Sequence, residues 1–499
     1  MAERLTIANL DADLDRSLAT LRSDHAAVAK SRARVEAALK SGDAHYGLNT
    51  GFGVLARERI PDSQILTLQR NLLLSHAVGV GDPVPRDISR LMLRLKVHAL
   101  GLGYSGVSLP TFRRLLELEQ RDLVPVVPSR GSVGASGDLA PLAHLALPLI
   151  GLGEFWSDGK PEPSEAALRK HKLEPVELGA KDGLALINGT QLMSAYGAHI
   201  LHRCGMLVKL FDIAASMSLE ALQGSARPFD ERVHAVRPHA GHGNVAANVR
   251  ALLAGSEILE SHRNCGKVQD PYSLRCIPQV HGASRDALQY ASNVVENEIN
   301  SVTDNPLVFE NGDIVSCGNF HGQPLALALD FAAMALAELA SIAERRVYLL
   351  LEGHDGLPRL LMRETGLNSG FMIPQYTAAA LVSENKVLCH PACVDSIPTS
   401  LGQEDHVSMG SISAVKLLQV FNNVETVLAI ELLTAAQALD YRSPVKPGRG
   451  VEAAHRTIRT RVPHREADAL FQDDLRAIGE LVGDAELLDA VQGSGVSLC

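Results

Sequence analysis

Between Gly131 and His144 the chain reads GSVGASGDLAPLAH, a run whose glycines leave backbone groups open to chemistry. Bare amides in such loops can cradle an anion. A phosphate loop, however, ends in Lys followed by Ser or Thr, and a dinucleotide loop carries the G-x-G-x-x-G spacing. Neither this run nor GLNTGFG at 47–53 has those features. Ser136 also fails as a hydrolase nucleophile, because an elbow serine has glycine two residues later, whereas here Gly137 follows directly and Asp138 comes next. Read alone, Ala135-Ser136-Gly137 is a tight turn. Cys389 and Cys393 in CHPAC flank Pro391 and have no second Cys or His pair at zinc spacing, so no metal is expected.

The elements that must position these residues change character along the chain. Up to about residue 190, short helical patterns alternate with Gly- and Pro-rich punctuation that marks loops and turns. Beyond it, Gln191 to Gln223, Ser284 to Ser301, Leu325 to Glu352 and Ser411 to Tyr441 run without proline and almost without glycine, which predicts long helices. Leu325 to Glu352 would span about 42 Å at a rise of 1.5 Å per residue. Its apolar residues surround the helix, so it must be covered on all sides, and an oligomeric bundle does this most economically. After Tyr441, RSPVKPGRG breaks the pattern before shorter amphipathic helices resume. The expected fold is mainly α: a loop-rich, mixed N-terminal lobe over 1–190, a long-helix bundle over 191–442, and a helical appendage over 443–499. No internal repeat supports a solenoid.

Bulk composition narrows the partners. The 499 residues carry 47 Lys plus Arg against 57 Asp plus Glu, a formal charge of -10 with no long basic run, which disfavours nucleic acid and anionic membrane. Charges of both signs in MAERLTIANLDADLD leave no apolar export stretch. The most apolar segment, Leu325 to Ala337, is broken by Asp330 and followed by Glu338, and is expected to fall short of the ~20 residues of a membrane span. Seven irregularly spaced cysteines fit a reducing compartment. A cytoplasmic protein is expected.

The GSVGASGDLAPLAH run resembles the segment from which the aromatic amino acid ammonia-lyases build a 4-methylidene-imidazol-5-one group. The resemblance extends through YGLNTGFG, NLLLSHAVGVG, LINGTQ, QDPYSLRC, TDNPLVF, GNFHGQP and EDHVSMG, nearly the whole chain. It implies that the amide nitrogen of Gly137 attacks the carbonyl carbon of Ala135. Loss of two waters, one carrying the Ser136 hydroxyl, then leaves an electrophilic exocyclic methylene. Small Ala and permissive Gly suit such a closure. The same resemblance makes Tyr46 the base, Tyr272 a second catalytic side chain and Arg275 the carboxylate partner, with Tyr272 and Gln269 lining the same pocket from a neighbouring subunit of a homotetramer. Asn188 would support the electrophile, Phe320 the substrate, and Asp138 the formation of the group. Each has an ordinary counterpart: a packed aromatic, a structural ion pair, an Asn-Gly turn, an acid at a helix N-terminus.

Ser75-His76 falls where phenylalanine-specific members carry an aromatic and a leucine, and Glu404 where phenyl- and tyrosine-specific members carry an amide. A carboxylate accepts a hydrogen bond from an imidazole N–H and gains nothing from a phenyl ring. L-Histidine, converted to trans-urocanate, is therefore the expected substrate. The alternatives are a tyrosine or phenylalanine lyase, an aminomutase, and an inactive helical scaffold. His76 as a satisfied core residue and Glu404 in an internal ion pair are the competing readings. One departure from the family is SLGQEDH, which places Leu401 and Gly402 where many members have Ala-Asn.

Overall fold

Four stretches poor in proline become the long helices of the protein: Gln191–Ala221, Ile277–Ile299, Gln323–Leu351 and Gly410–Asp440. The computed structural model describes residues 4–41, 46–51, 53–55, 57–263 and 266–499. The fold is mainly α, as expected, and strands among the described residues form three short two-stranded antiparallel ribbons. The second long helix begins at Ile277, seven residues before the expected Ser284. Pro278 lies in its first turn, where no intrahelical N–H bond is needed, so this proline starts the helix instead of ending the preceding loop.

By length and hydropathy, Gln323–Leu351 and Gly410–Asp440 are both sufficient to cross a membrane, which corrects the expectation that Asp330 and Glu338 leave the first too polar. Two-thirds of each apolar window is buried inside the protein. Asp330, only 1% exposed, accepts hydrogen bonds from the Cys393 amide at 2.9 Å and the Ser413 hydroxyl at 3.0 Å. Burial of a carboxylate in an apolar helix is tolerated because such donors replace water.

The chain forms two compact units. One comprises Met1–His202, Ala291–Asp330 and Pro391–Val415; the other Arg203–Tyr290, Phe331–His390 and Lys416–Cys499. The division passes through all four long helices. It rests on contacts between elements, whereas the divisions at 190 and 442 rest on sequence texture.

In the first unit, Gly197 lets helices approach closely: a Cβ there would lie 3.0 Å from both Leu329 and Val295. The second unit is bolted by buried charge. Arg346 and Glu431, both fully buried, pair through two bonds of 2.6 and 2.9 Å, and the Ser218 hydroxyl adds a third to the same carboxylate at 2.7 Å. Asp212 accepts from His281, Arg285 and Asn248 beside them.

Candidate active site

The Ala135-Ser136-Gly137 turn is bent hard. Ser136 has φ +49° and Gly137 φ +82°, the first in a region that side chains avoid. A Cβ on Gly137 would run into the carbonyl oxygen of Gly189, so only glycine fits that crossing. The two segments exchange backbone bonds: Gly189 N–H donates to Ser136 O at 3.2 Å, and Asp138 N–H to Gly189 O at 2.7 Å. Gly137 N–H points back to Gly134 O at 3.3 Å.

Asp138 precedes the Leu139–Ala146 helix without capping it. Its carboxylate instead accepts the Leu192 and Met193 amides at 2.9 and 3.1 Å, serving the N-terminus of Gln191–Ala221. The acid-at-a-helix-end reading thus applies to a helix more than fifty residues downstream. Burial raises the carboxyl to about 7, although the two amides oppose the rise. Its second oxygen, Oδ1, is buried without a partner.

Asn188 stands next to Gly189. Its amide donates to Asp304 at 3.1 Å and to Asn305 O at 2.9 Å, while its side-chain oxygen is also buried and unpartnered. Lys96 donates from Nζ to the Asn188 carbonyl at 2.7 Å and is lowered to about 7, chiefly by burial. Lys96 escaped the motif reading, because a lysine beside Arg94 in LMLRLKVHALG looks like an ordinary charge on an amphipathic helix.

Tyr46, His76, Ser136 and Glu404 line one cavity of about 830 Å³, with Ser75, Leu184, Ile187 and Ser400. The Tyr46 phenol accepts the Gly53 amide at 3.2 Å. Burial drives its pKa up, and the charge of Glu404 adds to the rise. His76 is lowered by burial, which favours neutral imidazole, and contacts the Ser75 hydroxyl at 3.0 Å. Glu404 is half-buried and accepts the Thr399 hydroxyl at 2.7 Å. Thr399 and Ser400, which shape this corner, also went unnoticed in the sequence because their role follows from a turn and not from a motif.

Phe320 is half-buried in the same unit but does not line the cavity. Gln269, Tyr272 and Arg275 belong to the second unit and are likewise absent from its lining. Tyr272 is 69% exposed, and the Arg275 guanidinium lies 4.3 Å above its ring. Among the described residues no cluster of His, Cys, Asp or Glu could hold a metal ion.

This sequence matches the aromatic amino acid lyase family over residues 5–460, and the chain belongs to that family. The resemblance read from the motifs is thereby borne out. It is similar to the histidine ammonia-lyase of Anaeromyxobacter sp. (strain K), 55% identical over 471 residues that cover 92% of this chain and 93% of the relative. Among solved structures, histidine ammonia-lyase from Trypanosoma cruzi is 41% identical with a TM-score of 0.87, covering 94% of this chain and 89% of that one. Tyrosine aminomutase from Streptomyces globisporus is 35% identical with a TM-score of 0.90, covering 99% and 98%.

Proposed function

We propose that this protein is a carbon–nitrogen lyase that eliminates ammonia from L-histidine to give trans-urocanate, the activity named for its histidine ammonia-lyase relatives. The observation that carries the substrate choice is a single cavity holding Ser136, Tyr46, His76 and Glu404 together.

The sharp turn at Ser136 and Gly137, and the unpartnered buried oxygens of Asp138 and Asn188, suit a methylidene-imidazolone made from residues 135–137. Such a group supplies an electron sink for departure of the α-amino group. Asp138 and Asn188 would hold it, with Gly189 packed behind. Tyr46 takes a proton from the substrate β-carbon. Since burial disfavours its phenolate, the α-ammonium of bound substrate must help to ionise it. Glu404 accepts the imidazole N–H, and neutral His76 faces the same polar ring. Phe320, outside this cavity in its own chain, would flank substrate only at a neighbouring subunit's site. No metal or nucleotide takes part.

Arg275 pairs with the substrate carboxylate, with Gln269 and Tyr272 beside it, and these three serve the site of a neighbouring subunit in a homotetramer. Exposed Tyr290, Phe331 and Met334 in the second unit are the kind of apolar side chains that such an assembly covers. The protein works in the cytoplasm, without nucleic acid or membrane.

Separate incubations with histidine, tyrosine and phenylalanine test the substrate. Urocanate absorbance from histidine alone is expected; coumarate, cinnamate or a β-amino acid as the main product would move the protein to a sister activity. Intact mass tests the electrophile, since the mature chain should be lighter than its sequence by two waters and Ser136→Ala should not.

A further inference from the structure

We propose that Ser400 is a positioning residue that ties the backbone holding Tyr46 to the turn holding Glu404, so that the base and the ring-reading carboxylate are set as one unit. The proposal rests on the roles given above to Tyr46 and Glu404.

The turn is costly to make. Ser400 and Leu401 have φ of +51° and +52°, two consecutive side-chain-bearing residues in the left-handed region, followed by Gly402 at +87°. Leu401 does not compensate by packing, because it is 92% exposed. What holds the turn is its polar contacts. The Thr399 amide donates to Glu404 O at 3.0 Å, and the Thr399 hydroxyl donates to the Glu404 carboxylate at 2.7 Å.

The Ser400 hydroxyl faces the other way and accepts the Val54 amide at 3.2 Å. The preceding amide, Gly53 N–H, donates to the Tyr46 phenol at 3.2 Å. Two successive amides therefore hold the base on one side and Ser400 on the other. Gly53 makes the approach possible: its φ is +54°, and a Cβ there would lie 2.6 Å from the Ser400 hydroxyl oxygen. Both segments border the cavity that contains Tyr46 and Glu404.

Ser400→Ala and Ser400→Gly in the full-length enzyme separate this role from that of an ordinary turn residue. Both variants should keep the two-water mass deficit, because the Ser400 hydroxyl is engaged by the Val54 amide and not by the backbone of residues 135–137. In both, exchange of the Val54 amide should accelerate about tenfold, the effect of losing one hydrogen bond of ordinary strength. Turnover of histidine should fall about as much, with a smaller change in KM, since the base is displaced more than the binding groups. If Ser400→Gly, which relieves the left-handed strain, matches or exceeds the parent in turnover and leaves Val54 protected, Ser400 is only a turn former and the proposal fails. Tyr46→Phe and Glu404→Gln serve as controls. Full histidine turnover in either removes the underlying roles and the proposal with them, whereas severe losses there beside normal Ser400 variants overturn the tie alone.

Discussion

Asp138 is a carboxylic acid whose folded surroundings favour the proton. Burial lifts it from the ordinary 3.8 to about 7. Between those values the folded chain keeps a proton that the unfolded chain has released, so this group's contribution to stability declines as pH rises through the window and levels off above it. The slope is at most about 1.4 kcal/mol per pH unit. Urea midpoints of Asp138→Asn, taken across the window, should rise relative to the parent's as pH increases; a constant difference would mean that Asp138 is ionised throughout. Glu404 makes a different prediction. Replacing it with Gln exchanges a charge-assisted acceptor for a neutral amide, so kcat/KM for histidine should drop about 10- to 100-fold with less effect on a phenyl substrate. A uniform loss on all rings would deny Glu404 its selective role. That a carboxylate stands at 404 was legible in the sequence. Its Thr399 partner was not, because the turn over residues 399–404 brings the hydroxyl there and no motif announces it.

At the scale of elements, the long helices were readable because proline and glycine are scarce within them. The misplaced start at Ile277 shows the limit of that signal: proline in a first turn and proline in a loop look alike until the backbone path is known. Asp138 illustrates a second limit, since local spacing suggested the helix it precedes while chain-distant contact assigned it to Gln191–Ala221. Gly197 sits inside that long helix, where intrinsic propensity alone would prefer alanine. Its crossing contacts argue otherwise for larger residues. Gly197→Val should lower stability by about 1–3 kcal/mol through overpacking against Val295 and Leu329. A thermal or urea transition unchanged from the parent would show that the crossing is loose.

For the whole molecule, the decisive question is which chain supplies Arg275. If Tyr46 and Arg275 of one site come from different subunits, Tyr46→Phe and Arg275→Ala chains, each nearly inactive, should complement when assembled together. Random assortment restores about a quarter of the sites. Absence of recovery in verified mixed oligomers would place both residues on one subunit. Sequence carried the family over nearly the full chain and named the candidate side chains. Assignment of those side chains to subunits lay beyond it, because identical chains share one sequence.

The helices with spanning length bear on events before folding is complete. As the 323–351 stretch leaves the ribosome, its apolarity invites the insertion machinery that sorts nascent chains into bilayers. Asp330, Glu338, Glu344, Arg345 and Arg346 oppose that route, since a charge near the middle of a lipid-embedded helix costs about 2.5–3.5 kcal/mol. Hydrogen-bonded partners later quiet Asp330 and Arg346 in the finished protein. Asp330 and Arg346 would thus act twice, first against insertion of the nascent helix and then as internal fasteners. Asp330→Leu should shift newly made chains toward the membrane fraction, and an unaltered distribution would assign the sorting to the remaining charges.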